Sequence, residues 1–412
     1  MLNAALKGVK VVDLSRILAG PWCTQNLADL GAEVIKIEKP GSGDDTRGWG
    51  PPYLESADGD TLSAYFTCCN RGKKSVALDF TQEADRQRLL ALIREADVLV
   101  ENYRVGTLKK YGLDYDSVKA VNPRLVYASI TGYGQTGPKA HRPGYDYIFQ
   151  GLGGLMSYTG PADGEPGAGP LRTGVAVVDI TTGMYATSAV LAALFQRTQT
   201  GQGAWLDLAL LDVAVAMNAN QAANFLVSGA SPQRTGNAHP NLAPYEVFRA
   251  SDGFFILAIG NDTQFERFCD FCGRPELAQD ERFKTNSARI NNLPVLRGIL
   301  SEVLETKPRR YWTEALDTLG ISWGSVNSLE EVFQDEQVLH RQMLQKTTHP
   351  KLGEINLVKN PMLAGNREDS TNPAAPPLLG EHTESVLGCL NIIEEANGRS
   401  HGLVHAIGFK KL

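Results

Sequence analysis

The sequence predicts an α/β protein: a large domain built on an open, mostly parallel, Rossmann-like sheet, joined to a smaller α+β domain. Three observations carry that expectation. Strand-helix-strand units recur from residue 9 onward. A long apolar segment, Ile180 to Phe195, follows a Gly-, Pro- and Ala-rich stretch. Near Ser228 the character changes, and a hairpin pattern replaces the alternation.

The first unit opens with Val9–Leu14, an apolar strand, and continues through a loop from Ser15 to Gly20. Pro21 suits the first turn of a helix running to about Leu30, with Gly31 as its stop. Glu33–Glu38 is the second strand. Further on, Leu78–Thr81 leads into a helix through Glu95, Val98–Val100 forms a strand ending at Glu101-Asn102, and Leu125–Ile130 forms another. Such units imply a parallel sheet covered on both faces, with ligands bound beyond the carboxyl ends of its strands.

The apolar segment 180–195 has small and branched residues all round, which predicts a helix buried on most sides. A strand from Ala204 to Leu210 and an Ala- and Asn-rich helix through about Leu226 follow. Tyr245–Arg249 and Phe254–Ile259, joined through Ser251-Asp252-Gly253, read as a β-hairpin. Amphipathic helices continue to about Leu319. The expected organisation is a large domain over 1–200, a linker over 201–227, and a small domain over 228–325. Residues 326–390 then form a linker and a return to the large domain, leaving 391–412 as a tail.

Forty Lys and Arg against 46 Asp and Glu give a net charge of -6, which is not the footprint of a nucleic-acid binder. Residues 1–7 contain no apolar core of the kind that targets a chain to a membrane, so no membrane partner is expected and the cytoplasm is the default location. Six cysteines in 412 residues do not make a disulfide framework. Cys269 and Cys272 have the spacing of half a zinc site but no second pair, and their setting beside Phe265 and Phe268 reads as packing; no metal is expected.

Glu38, at the end of the second strand, invites a dinucleotide reading. That reading needs glycines in the first turn for close approach to a pyrophosphate, and residues 15–21 offer only Gly20. Arg71, Lys73 and Lys74, with Lys36, Lys39, Arg47, Arg104, Lys109 and Lys110, fall at strand ends and loops of the same sheet. A solvated charged face and an anion site for phosphates are both open. Asp179 stands directly before the long apolar helix. There a carboxylate can cap unpaired backbone N–H groups, and the same donors can keep a nucleophile ionised and fixed.

Taken in order, Leu14 to Pro21, Ala28 to Glu38, Gly43 to Arg47, Glu101 to Tyr103, Gly132 to Pro138, Tyr145-Asp146, Asp179 with Thr182 to Tyr185, and Pro377 to Thr383 resemble the class III CoA-transferases. That family includes formyl-CoA transferase, carnitine CoA-transferase and succinate-hydroxymethylglutarate CoA-transferase. The likeness runs from about Leu6 to Leu390.

The resemblance implies coenzyme A as a substrate and product thioester, small carboxylic acids as the other substrates, and two subunits interlocked as a homodimer. Asp179 stands at the family's catalytic aspartate, which passes through an aspartyl anhydride and an aspartyl-CoA thioester. Carried over by position, CoA contacts fall on Leu18, Ala19, Lys39, Leu78, Asp79, Phe80, Thr81, Asn102, Tyr103, Arg104, Lys110, Tyr145 and Asp146. Lys39 and Lys110 replace arginines of the formyl-CoA enzyme, which keeps charge and loses bidentate geometry.

The α-methylacyl-CoA racemases share the implied fold and the aspartate, and are the alternative. They need a histidine directly before Asp146 as a second proton carrier, and here that residue is Tyr145. The glycine-rich loop of the formyl-CoA enzymes is absent; the stretch from Gly236 to Pro244 is more similar to members that use succinyl-CoA or acetyl-CoA with dicarboxylates. Succinyl-CoA as donor and a dicarboxylate such as glutarate or hydroxymethylglutarate as acceptor are therefore expected. Arg16, Arg47 and His239 are the basic residues available for a distal carboxylate.

Overall fold

Strands β1 (Lys10–Asp13) and β2 (Glu33–Glu38) flank helix α1 (Ala19–Asp29), as the apolar pattern requires. The computed structural model describes residues 2–363 and 373–388; the tail over 391–412 lies outside the described residues. A short hairpin, β3 (Tyr53–Glu55) and β4 (Thr61–Ser63), and a single turn α2 (Ala64–Thr67) lead to β5 (Lys73–Ala77). Then come α3 (Glu83–Glu95), β6 (Val98–Glu101), α4 (Tyr115–Val121), β7 (Val126–Thr131), α5 (Asp146–Leu152), α6 (Val177–Thr200), β8 (Ala204–Ala209) and α7 (Leu210–Ala216).

The six main strands form one parallel sheet in the order β5-β2-β1-β6-β7-β8. Chain order therefore runs outward from β1 in one direction and resumes at β6 in the other. The reversal opens a crevice at the carboxyl ends of β1 and β6, where ligands of such sheets bind.

Alternation along each strand divides the core in two. Val11, Val34, Val98, Val126 and Ala128 face a layer that includes Leu27 of α1 and Val178, Ala186 and Val190 of α6. Val12, Ile35, Val76, Leu99 and Tyr127 face Leu89, Leu92 and Ile93 of α3. Each fully buried Leu or Ile contributes about 1.5–3 kcal/mol relative to exposure. Close packing of α6 on α1 depends on Gly183, because a Cβ there would lie 2.7 Å from the Ala19 carbonyl oxygen.

Three sequence expectations change. Residues 73–77 are a strand, although their lysines suggested a loop: Lys73 and Ser75 point inward and find polar partners there. Helix α6 is buried along one face, through Val178, Thr182, Ala186 and Val190, whereas Met184, Tyr185 and Phe195 are exposed in this chain. The Ala- and Asn-rich helix is two helices, α7 and α8 (Ala219–Ser228). The amide of Asn218 bonds to the carbonyls of Ala214 and Val215, and Ala219 takes a positive φ of 40°, which ends the first helix.

Residues 154–172 and 219–335 pack as a second compact unit, apart from the rest of the chain. Its antiparallel sheet is ordered β11-β10-β9, with β9 (Tyr245–Ala250) and β10 (Gly253–Ala258) forming the expected hairpin and β11 (Ser322–Ser325) on the far side. Helices α9 (Asp262–Phe271), α10 (Glu276–Gln279), α11 (Asn286–Asn291), α12 (Leu293–Leu304) and α13 (Arg309–Leu319) belong to the same unit. Its core is built from Phe248, Phe255, Phe265, Phe268, Leu300 and Trp312. Cys269 is buried in this core and Cys272 packs against it, as small apolar residues.

Candidate active site

The loop after β1 is held by side chains at nearly every backbone polar group. Ser15 donates its N–H and its hydroxyl to Asp13, and its carbonyl accepts from Lys36 Nζ at 2.8 Å. The Asn102 amide does for Arg16 what a neighbouring strand would do: Oδ1 accepts the Arg16 N–H at 2.9 Å and Nδ2 donates to the Arg16 carbonyl at 2.6 Å. Ile17 donates its N–H to the Asp44 carboxylate at 3.2 Å, and the Cys69 thiol donates to its carbonyl at 3.6 Å.

Such restraint is needed because Ile17 has φ 71°, a left-handed conformation that a β-branched residue rarely adopts. Strain of this kind costs about 1–3 kcal/mol and persists only where the surroundings determine it. Gly20 lets the loop fold back on itself, since a Cβ there would lie 2.3 Å from the Ser15 side chain. The outcome is a fixed presentation of Leu18 and Ala19 at the start of α1.

The same network accounts for many of the cations. Lys36 and Asp44 form a fully buried ion pair at 2.9 Å, and Lys73 and Asp13 another at 3.1 Å. Burial alone would raise the Asp13 carboxyl, but Lys73 and Lys36 outweigh it and hold it down to about 2. Arg47 embraces Glu38 through Nε and Nη2, and Arg71 embraces Asp29 in the same way. The strand-end cations open to an anion-site reading therefore divide. Lys36, Arg47, Arg71 and Lys73 are committed to internal carboxylates, and Glu38 serves Arg47 and Ser75 inside the protein.

Asp179 is the third residue of α6, not its cap. The N-cap position is Ala176, which supplies no side-chain bond. Capping comes instead from Asp146 at the start of α5: its Oδ1 accepts the N–H of Val178 at 2.7 Å and that of Asp179 at 3.1 Å, while Oδ2 accepts from Gln150 at 2.6 Å. The Asp179 side chain is half-buried and left clear of that arrangement. Burial, followed by the charge of Asp146, pushes its carboxyl up to about 7. The setting disfavours the ionised form, whereas a cap would be held as the carboxylate.

Asp179 lies in a cavity of about 440 Å³ at the crevice between β1 and β6. The structure brings Arg16, Leu18, Ala19, Asn102, Tyr103, Arg104 and Tyr145 to its wall. Asp146 sits behind it as the helix cap. Asp79 receives the N–H and hydroxyl of Thr81 in a turn, Leu78 is buried in the core, and Phe80 meets the rings of Tyr103 and Tyr111 edge-on. These residues, with Lys39, Lys110 and Arg47, are not on the cavity wall. His239 belongs to the second unit, where it stacks on Tyr245 and accepts the Asn241 N–H. Thr107, Thr131, Arg142 and Leu210 also line the cavity. Sequence reasoning missed them, although the basic residue just before Pro143 was a signal within reach.

A smaller cavity of about 170 Å³ shares Tyr103 and Arg104 with the larger one. Glu101 lines it, with its carboxyl raised to about 7 by burial against the hydrogen bonds of Ser129 and the Tyr103 N–H. Lys109 and the stacked pair Tyr115 and Trp205 form other walls.

A half-buried aspartate in the first turn of a helix, lining one cavity with a preorganised loop at the switch point of a parallel sheet, suits acyl transfer from a large thioester. The family model described as CoA-transferase family III matches residues 6–383. The chain belongs to that family. The class III CoA-transferase is 47% identical to the succinate-glutarate CoA-transferase of Agrobacterium fabrum over 391 residues, covering 94% of this chain and 96% of that protein. It is 42% identical to the succinyl-CoA:glutarate CoA-transferase of Mus musculus over 382 residues, covering 93% of this chain and 85% of that protein. Among solved structures, a CAIB/BAIF family protein from Brucella suis aligns with a TM-score of 0.82 at 46% identity, covering 94% of this chain and all of the other. CoA thioesters are thus its substrates, and the α/β fold with a six-stranded parallel sheet is that of its relatives.

Proposed function

We propose that this CoA-transferase moves CoA from succinyl-CoA to a small dicarboxylate of the glutarate type, with Asp179 as the nucleophile. The observation that carries the mechanism is Asp179 in the wall of the same cavity as the clamped loop at Leu18 and Ala19. The substrates rest on the relatives named for succinate and glutarate.

An ionised Asp179 attacks the thioester carbonyl. The C–S bond breaks and CoA leaves as thiolate, giving an aspartyl-succinyl anhydride. The thiolate then attacks the aspartyl carbonyl, expelling succinate and forming an aspartyl-CoA thioester. The acceptor carboxylate attacks that carbonyl, again releasing the thiolate, which finally attacks the acceptor's acyl carbon and restores the Asp179 carboxylate. No net proton moves, and one activated acyl bond replaces another.

The carboxyl near 7 has two consequences for this cycle. It must lose a proton before attack, and the resulting anion is a stronger nucleophile than an ordinary carboxylate. An assembly of two subunits, implied by the family resemblance, is part of the proposal; exposed Phe195, Leu226 and Val227 support an interface.

The test is to incubate the protein with succinyl-CoA and a panel of carboxylates and to follow acyl-CoA products by mass spectrometry. Glutaryl-CoA should accumulate with free succinate, and Asp179→Ala should abolish it. Wild-type transfer by Asp179→Ala would refute the aspartyl mechanism. A racemase would instead exchange the α-proton of a 2-methylacyl-CoA with solvent deuterium and need no free acid.

A further inference from the structure

A dicarboxylate brings two charges to the site. One carboxylate reacts at Asp179, and the other must be matched by a cation or remain in water. Of the three basic residues that the sequence offered for it, Arg47 is closed on Glu38, and His239 stacks on Tyr245 in the second unit. Arg16 lines the cavity but gives its guanidinium to Asp45 at 2.9 Å.

Two other arginines line the cavity, Arg104 and Arg142. Among the described residues neither forms an ion pair with a carboxylate. Their positions differ. Arg104 lines both cavities, and it shares the smaller one with Lys109. Arg142 lines the cavity that holds Asp179 and not the smaller one beside it. Its segment continues through Pro143, Gly144 and Tyr145, also in the wall, directly into Asp146, which fixes the N–H of Asp179 at 3.1 Å. The cation on this segment is therefore tied by a short length of chain to the start of the nucleophile's own helix.

We propose that Arg142 binds the distal carboxylate of the acid substrate and sets the enzyme's preference for dicarboxylates. This rests on the reading of the protein as a dicarboxylate CoA-transferase. A guanidinium offers a carboxylate two parallel hydrogen bonds, so it recognises the charge and also orients the chain that carries it. The same contact serves the succinyl group on the way in and the acceptor acid on the way out. Arg104, shared with the smaller cavity and its Lys109, is left for the phosphates of CoA.

The experiment compares glutarate with valerate, in which a methyl group replaces the distal carboxylate, as acceptors at saturating succinyl-CoA. Wild-type enzyme should favour glutarate in kcat/KM. Arg142→Ala should lower that preference by roughly tenfold to a hundredfold, through a higher KM for glutarate, with far less effect on valerate. Arg142→Lys should recover part of it, and Arg104→Ala should raise the KM for both CoA thioesters without changing the ratio. An active Arg142→Ala enzyme that kept the wild-type ratio would overturn the assignment, as would one that lost both acceptors equally. Wild-type enzyme that used both acids equally well would overturn it while leaving CoA transfer intact. Wild-type enzyme that formed neither product would remove the functional reading beneath it.

Discussion

Asp146 accepts the backbone N–H of Asp179 at 3.1 Å, so one carboxylate fixes the main chain of the other while raising its affinity for a proton. The two effects can be separated by mutation. Asp146→Asn keeps an acceptor for the N–H groups and removes the charge, so the acid limb of the pH profile of kcat/KM should move to lower pH by about half to one unit. Asp146→Ala removes the cap as well and should cost about 1–2 kcal/mol in denaturant unfolding. An acid limb unmoved in Asp146→Asn would show that Asp179 does not feel this charge.

With its carboxyl near 7, Asp179 should make kcat/KM rise with pH through that value before it levels off. Stability should run the other way. The folded protein binds the Asp179 proton more tightly than the unfolded chain, whose carboxyl titrates near 4, so the favourable contribution is full below about pH 4 and lost as pH rises through 7. Asp179→Asn should therefore be inactive yet more stable at pH 8, by roughly 1–2 kcal/mol once the shift is discounted for partial exposure, and should match wild type near pH 4. Thermal melts at the two pH values decide it.

Asp44 supports both a buried cation and a strained backbone. It neutralises Lys36, with both side chains wholly buried, and it holds the N–H of left-handed Ile17. Removing it leaves an ammonium group short of a partner in the interior, and Asp44→Ala should cost about 3–5 kcal/mol. Asp44→Asn, which retains an acceptor for Ile17, should lose less. Urea unfolding measures the difference, and a loss below about 1 kcal/mol in Asp44→Ala would show that Lys36 finds another carboxylate.

The parallel sheet was legible because its strands are rich in branched apolar residues: Glu33–Glu38 was placed without error, and α1 and β6 within about two residues. The strand Lys73–Ala77 was hidden for the opposite reason. Of its two lysines Lys73 is buried, and burial of a lysine depends on a partner sixty residues away in sequence, Asp13, which no local pattern reveals. The same long-range pairing explains why the clustered cations left both a solvated face and an anion site open, when Lys36, Lys73 and Arg71 are in fact neutralised inside the protein. Asp179 was visible as a helix-start acid. Its cap was not, because Asp146 reaches it from another helix. Arg142 was within reach as the basic residue before Pro143, but only the pairing of its competitors singles it out.

Asn102 offers the sharpest test of how the loop contributes. Its amide makes both hydrogen bonds to the Arg16 backbone, accepting at Oδ1 and donating at Nδ2, and it stands in the wall of the Asp179 cavity. Asn102→Ala leaves the loop without that support and should raise the KM for acyl-CoA about tenfold, with a smaller effect on kcat and on melting. Asn102→Asp should be worse than Asn102→Ala. Its carboxylate can still accept the Arg16 N–H, but it places a negative oxygen against the Arg16 carbonyl where a donor is required. A purely steric role for residue 102 predicts the reverse, since aspartate has nearly the shape of asparagine. Steady-state kinetics of the two variants against acyl-CoA distinguish the cases, and equal KM values would show that the Nδ2 bond does not position the loop.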